Sequence, residues 1–316
     1  MQMLLKNACK DEIIQSPLNY TGGKFKLLPQ ILPLFPKNID IFVDLFCGGA
    51  NIGVNVKSTQ TILNDTNDNL TLLFSMFKNL GNDFLSLIDE IIEKYGLSQS
   101  SKYGYEYYNC DSNEGLAHYN KEKFLKLRED FNTSKDIGYY HYAMLYTLIL
   151  YSFNNQIRFN AQGQFNLPVG KRDYNEKMKQ KLQKFINRLQ EKDYTFSNMD
   201  FREFDISQLN SNSFVYADPP YLITCATYNE QGGWNASDEN NLLDFLDNLH
   251  ENNIKFALSN VLRSKGKENS ILIDWTQQNC DKYKVINLNY SYNNSNYHIK
   301  NKSDITEEVL IINYGA

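Results

Sequence analysis

Short apolar runs that stop at an acid or a turn residue constrain this chain most. Residues 39–45 run into Phe46-Cys47-Gly48-Gly49, residues 61–63 into Asn64-Asp65, and residues 214–217 into Asp218-Pro219-Pro220. Each run has the length of a strand buried on both faces, and each stop marks where the chain leaves a sheet. Helical patterns alternate with them. Residues 50–56 read as a short helix. Residues 237–252 read as a longer one, with Leu242, Phe245, Leu246 and Leu249 on one face and acids in the first turn. Residues 255–259 and 309–313 read as further strands. This alternation predicts an α/β fold in which a mostly parallel sheet carries helices on both faces. Ligands of such sheets bind beyond the carboxyl ends of the strands, where the acids and glycines of this chain fall.

The middle of the chain differs. From Leu70 to about Asp193 the pattern is mostly helical, amphipathic over residues 121–131 and apolar over residues 139–153. It breaks at residues 156–166, where apolar and polar residues partly alternate about a turn containing Gly163. Pro168 and Gly170 close the segment, which reads as a β-hairpin within an inserted domain. Charge sets the same region apart. The net charge of −5 argues at first sight against a polyanionic partner. Residues 121–192, however, hold 14 Lys and Arg against 7 Asp and Glu, while residues 1–120 hold 9 against 13 and residues 193–316 hold 9 against 17. A basic middle between acidic flanks suits a polyanion-binding insertion; a lysine-rich solvated helix face would give the same count.

With 42% apolar and 22% charged residues over 316 positions, the chain can bury a real core. No stretch approaches the ~18 uncharged apolar residues of a membrane span, and the first 15 residues lack the apolar run of a signal peptide. A cytoplasmic location is expected. Cys9, Cys47, Cys110, Cys225 and Cys280 are far apart and form no CxxC pair, and there are four histidines, so no metal site or disulfide framework is expected.

Four segments carry candidate chemistry. Gly48 and Gly49 end a strand, where glycine lets a ligand approach the backbone and a following helix N-terminus would face an anionic group. The run lacks a full GxGxxG, which disfavours a nicotinamide oxidoreductase. Asp65 lies at the end of the next strand, placed to accept ribose hydroxyls; Asp65-Thr66-Asn67-Asp68 also resembles a helix start. In Asp218-Pro219-Pro220-Tyr221 the prolines hold the chain extended and remove two donors. The Asp carboxylate and a backbone carbonyl are left as acceptors beside an aromatic ring, which suits the amino group of a planar base; the alternative is a strand-ending Pro-Pro turn. In Pro17-Leu18-Asn19-Tyr20-Thr21-Gly22-Gly23-Lys24 a Gly-Gly turn presents an aromatic ring and a lysine, or is simply a loop.

Taken together and in order, Tyr20-Thr21-Gly22-Gly23-Lys24, Asp44-Leu45-Phe46-Cys47-Gly48-Gly49, Asn64-Asp65, Asp200-Phe201, Asp218-Pro219-Pro220-Tyr221, Leu258-Ser259-Asn260 and Glu307-Glu308-Val309-Leu310 resemble the Dam-type (D12, α-class) DNA N6-adenine methyltransferases. The likeness covers nearly the whole chain. It implies a Rossmann-like methyltransferase fold, with residues 1–70 and 194–316 as the catalytic domain binding S-adenosylmethionine (SAM). Residues 71–193 would form an inserted, mostly helical target-recognition domain carrying a β-hairpin. It further implies SAM as cofactor, with no metal, and double-stranded DNA as partner, and leaves open whether a separately acting restriction endonuclease accompanies the enzyme. By matching position, Tyr20, Gly23, Lys24, Asp44, Phe46, Gly48, Gly49, Asp65, Asp200, Phe201 and Asp218 would bind the cofactor, with Asp65 on the ribose and Asp200 and Phe201 on the adenine. Asp218, Pro219, Pro220 and Tyr221 would be catalytic, and Phe153, Asn154, Gln156, Arg158, Asn160 and Lys171 would meet DNA. The resemblance also implies a target adenine flipped out of the duplex, and residues 228–235 look like a loop near it, or simply a surface turn. Two departures stand out: Ala50 where relatives often carry glycine, and Gln156 where some carry an apolar residue. Other readings are an N4-cytosine or protein-glutamine methyltransferase, which more often begin the Pro-Pro motif with Asn or Ser, and a catalytically silent DNA-binding regulator on the same fold.

Overall fold

The computed structural model describes residues 12–224, 233–289 and 306–315; Cys9, Cys225 and residues 228–232 of the expected loop lie outside them. Among these residues eight strands form one sheet: β1 (Ile41–Asp44), β2 (Gln60–Asn64), β3 (Asp193–Ser197), β4 (Phe214–Ala217), β5 (Lys255–Ser264), β6 (Lys267–Glu268), β7 (Lys284–Leu288) and β8 (Glu307–Ile312). The order is β3-β2-β1-β4-β5-β8-β7, with β6 paired to β5. From β3 to β5 neighbours run parallel, and β8 and β7 close that edge antiparallel. The chain steps outward from β1 to β2 and β3, then returns to β4 on the other side of β1. That reversal opens a crevice at the carboxyl ends of β1 and β4.

Nine helices accompany the sheet among the described residues: α1 (Leu28–Ile31), α2 (Asp68–Leu80), α3 (Asp83–Tyr95), α4 (Ser100–Tyr103), α5 (Ala117–Thr133), α6 (Tyr139–Tyr151), α7 (Glu176–Glu191), α8 (Ala236–Glu251) and α9 (Ser270–Gln278). Alternate residues of the strands point to opposite faces. Val43, Val215, Phe256 and Leu258 pack against Leu242, Leu246 and Leu249 of α8 and Leu272 of α9. Phe42, Phe214, Tyr216 and Leu310 pack on the other face with Leu28 and Ile31. Further along that face, Leu63, Ala50 and Val54 join Phe74, Phe77, Phe84, Tyr146 and Phe185 in a core shared with α2, α3, α5, α6 and α7. The basic middle region is therefore built onto the sheet through a continuous apolar core. Ten of the 13 residues of α6 are buried, which explains a helix apolar on nearly every side.

Two expected elements differ. Residues 50–56 hold only a 3₁₀ turn, Gly53–Asn55, in place of a helix. Ala50 takes a left-handed φ of 57° and the Gly53 amide is drawn to Asp44 Oδ2 at 2.9 Å, so no helix N-terminus stands behind the glycines. The expected hairpin has antiparallel bridges at Ser152↔Val169 and Phe159↔Phe165 but no continuous strands. Asn154 and Asn155, just before it, are left-handed, and the Asn160 carboxamide accepts from the Gln162 and Gln164 amides. Side-chain turns of this kind compete with a ladder. No helix among the described residues is long and apolar enough to cross a membrane.

Candidate active site

The crevice is a cavity of about 640 Å³, lined by Tyr20, Gly23, Lys24, Asp44, Phe46, Gly48, Gly49, Asp65, Asp200, Phe201, Asp218, Pro219, Pro220 and Tyr221. The sequence-expected cofactor and catalytic residues are thus brought together. Phe153, Asn154, Gln156, Arg158, Asn160 and Lys171 do not line it. Its floor is made by strand ends tied through Asn64, whose buried carboxamide donates to Leu45 O and Met199 O at 2.9 and 3.0 Å and accepts from Met199 N at 3.1 Å. The glycine turn has no spare room. Gly48 has a φ of +47°, and a Cβ there would fall 2.8 Å from the Tyr20 ring.

Asp65 holds this turn. Its Oδ2 accepts from Gly48 N and its Oδ1 from Asn67 N, each at 2.9 Å. The N-cap of α2 is Asn67, so Asp65 is not the helix cap. Burial pushes the Asp65 carboxyl up, and the two amides partly oppose this. Asp44, at the end of β1, is 1% exposed. Burial, reinforced by the charges of Asp218 and Asp65, raises its carboxyl to about 8, against the pull of the Gly53 amide.

Across the crevice, Lys24 lies 2.8 Å from Asp218 Oδ1 and 3.8 Å from Glu308 Oε1. The Tyr221 hydroxyl donates to Asp218 Oδ1 at 2.9 Å and reaches Glu308 Oε1 at 3.4 Å. The Lys24 ammonium also stands 4.9 Å from the Tyr221 ring centroid. Burial pushes the Glu308 carboxyl up while Lys24 pulls it down, and its Oε2 has no hydrogen-bond partner among the described residues. Glu308 was not among the expected site residues; its signal is its place in Glu307-Glu308, where two acids open an otherwise apolar strand. At the other end Phe46, Phe201 and Trp234 form an aromatic wall, with centroids 5.6 to 5.9 Å apart. Arg202 lies over Phe201, 4.7 Å from its centroid, and pairs with Asp200 and Asp238. Trp234 belongs to the loop expected near the base and stands here against Phe46 and Phe201, whereas Arg202 and Asp238 have no counterpart among the expected site residues.

The recognition candidates lie on one connected segment. Arg158 is exposed, and its Nε donates to Asn166 Oδ1 at 2.8 Å across the two arms. Phe153 is 52% exposed. Lys171 Nζ donates to Asn113 O at 3.3 Å, and Asn19 Nδ2 to Asn154 O at 2.7 Å, which joins this segment to the loop carrying Tyr20 and Lys24.

A mostly parallel sheet with a glycine turn, strand-end acids and a Pro-Pro-aromatic turn at one crevice has the architecture of an α/β methyltransferase. Residues 20–306 match the D12 class N6 adenine-specific DNA methyltransferase family, and the chain belongs to that family. It is 42% identical to the modification methylase StsI of Streptococcus sanguinis over 311 residues, 95% of this chain and 43% of that protein. It is likewise 42% identical to the type II methyltransferase M.FokI of Planomicrobium okeanokoites over 308 residues, again 95% and 43%. The DNA adenine methylase of Escherichia coli K12 is 25% identical over 247 residues, 77% of this chain and 79% of that protein. The chain spans under half the length of the first two relatives.

Proposed function

We propose that this chain methylates the exocyclic N6 of an adenine turned out of duplex DNA, with SAM as methyl donor. The observation that carries the reading is the convergence of Asp218-Pro219-Pro220-Tyr221 with the glycine turn at one cavity. The cavity suits an extended nucleoside of net positive charge: about 640 Å³, with Asp44, Asp65, Asp200, Asp218 and Asp238 against Lys24 and Arg202, an aromatic wall, and a turn where a Cβ would collide with Tyr20. Lys24 would take the methionine carboxylate, Asp65 the ribose, and Phe201 with Asp200 the adenine. Tyr20, Gly23, Asp44, Phe46, Gly48 and Gly49 would complete the pocket. When bound, SAM supplies an electrophilic methyl on a sulfonium, a good leaving group.

The protein does the rest by positioning and electrostatics. N6 is a poor nucleophile because its lone pair is conjugated with the ring. Asp218 and the Pro219 carbonyl accept its two N–H bonds and localise that pair towards the methyl. Pro220 keeps the turn extended, and Tyr221 stacks the base, which must leave the duplex to reach them. The methylated nitrogen is strongly acidic, and Asp218 takes its proton on to solvent.

Residues 71–193 are read as the recognition unit and residues 1–70 with 194–316 as the catalytic one, in a cytoplasmic enzyme. Arg158 would read a base edge, with Phe153, Asn154, Gln156 and Asn160 beside it and Lys171 on phosphate. A separately acting endonuclease would fit a protective role like that of the modification methylases. The test is nucleoside mass spectrometry of duplex DNA incubated with the chain and SAM. N6-methyladenine is expected; N4-methylcytosine, or methylation of a glutamine peptide in place of DNA, overturns the reading.

A further inference from the structure

The first turn of α8 carries a buried acid that the methyl-transfer chemistry does not use. Glu239 is 0% exposed. Its Oε1 accepts from Asn260 Nδ2 on β5 at 3.0 Å and from Asn269 Nδ2 at 2.7 Å, while its Oε2 accepts from the Trp234 indole Nε1 at 2.5 Å. Asn269 in turn caps α9, accepting from Leu272 N at 3.2 Å. Burial pushes the Glu239 carboxyl up and the three donors pull it back. Held by β5 and α9, this carboxylate is fixed independently of the indole it receives.

The indole forms part of the cavity wall. Trp234 lines the cavity with Asp200 and Phe201, its ring 5.9 Å from Phe46 and 5.8 Å from Phe201. A partly buried indole N–H needs an acceptor, and Glu239 supplies it. We propose that Trp234 is a cofactor-contact residue that completes the apolar wall at the adenine end of the pocket, and that Glu239 is the positioning residue that fixes it. This rests on SAM being the cofactor. The division of the two oxygens makes the role separable. Glu239→Gln can keep its single oxygen on the two asparagines, which turns its NH₂ towards the indole N–H. Two donors then face each other, and Trp234 is released while the contacts to β5 and α9 persist.

The chain has two tryptophans. Trp275 sits on α9, bonded to Asp247 and packed on Tyr283, so Trp275→Phe leaves Trp234 as the sole reporter. SAM binding to the full chain is measured by calorimetry and by Trp234 emission, with melting temperatures followed in parallel. SAM is expected to change the emission. Trp234→Ala should weaken SAM about ten- to a hundredfold, the range of base–aromatic contacts. Glu239→Gln should weaken it about tenfold, a loss of the order of one neutral hydrogen bond. In a Trp234→Phe background, which has no N–H to satisfy, Glu239→Gln should leave SAM affinity unchanged. Equal losses from Glu239→Gln in both backgrounds would mean a general structural role and overturn the assignment. So would unchanged Trp234 emission while calorimetry shows binding. Should Glu239→Gln fail to fold, Trp234→Ala decides: unaltered affinity overturns the wall. A wild-type chain that binds no SAM removes the cofactor reading itself, and this inference with it.

Discussion

Asp44→Asn separates two demands placed on the end of β1. Asp44 is almost wholly buried and keeps one oxygen on the Gly53 amide at 2.9 Å. Its carboxyl rises from 3.8 to about 8, chiefly through burial and then through the charges of Asp218 and Asp65. An acid raised on folding takes up a proton as the chain folds between those two values. Its cost is absent below about 3.8, grows as pH rises, and levels off above about 8. At about 1.4 kcal/mol per pH unit the ceiling at pH 7 is about 4 kcal/mol, and local relaxation brings the expected figure to about 2–4 kcal/mol. Asparagine retains an oxygen for Gly53 and carries no charge. Urea unfolding of both proteins from pH 4.5 to 8 should therefore show the variant gaining on wild type as pH rises, by about 2–4 kcal/mol at neutrality. Taking the difference between the two proteins removes the titration that they share. A difference that stays flat across that range refutes the argument. The same variant should bind SAM more weakly, since it lacks the negative charge that meets the cation. Wild-type binding below pH 8 should release a proton, seen as a buffer-dependent heat that Asp44→Asn lacks.

Asp218→Ala should lose methyl transfer while retaining DNA binding, because the acceptor of N6 is gone and the basic region is untouched. The barrier should rise by about 3 kcal/mol, roughly a hundredfold in rate, and near-wild-type turnover on cognate duplex would exclude Asp218 from catalysis. Asp65→Ala should weaken SAM by about 1.5–3 kcal/mol, through the ribose and through release of the Gly48 amide; calorimetry that finds unaltered affinity would leave Asp65 only its turn-holding role. Arg158→Ala should cost about 1–3 kcal/mol on the cognate site and relax discrimination at one base pair. Methylation rates on a panel of single-base-substituted duplexes check it, and a uniform loss across the panel would assign Arg158 to phosphate.

What could be read in the sequence follows from where the physics is local. β1 and β4 are buried on both faces, so Ile41–Asp44 and Phe214–Ala217 appear as plain apolar runs, and the residues that end them are also the ones that line the crevice. The edge strands β3 and β7 escaped notice because their exposed and buried residues mix, and neither carries a clear run. Residues 50–56 were misread for a related reason. Ala50 sits at a left-handed φ of 57°, where an L side chain costs roughly 1–2 kcal/mol. What holds that conformation is the pull of Asp44 on the Gly53 amide, together with Cys47 O accepting from Ala50 N at 2.6 Å. The second closes the glycine turn, but the Asp44–Gly53 bond spans nine residues and has no local sequence pattern. Glu308 and Glu239 show the same limit at the site. Glu239 stands among polar residues in the first turn of α8 and Glu308 follows Glu307 at the start of β8, so each looks like an ordinary surface acid; its partners are brought to it by the tertiary fold: Lys24 from before β1, Asn260 from β5, Asn269 from the cap of α9. A motif records groups that the backbone itself holds at fixed spacing, as in Asp218-Pro219-Pro220-Tyr221. The groups that touch Lys24 and the aromatic wall act across strands, so substitutions at Glu308 and Glu239 are where this fold can adjust the pocket without altering the motif to which the chemistry is assigned in the proposed function.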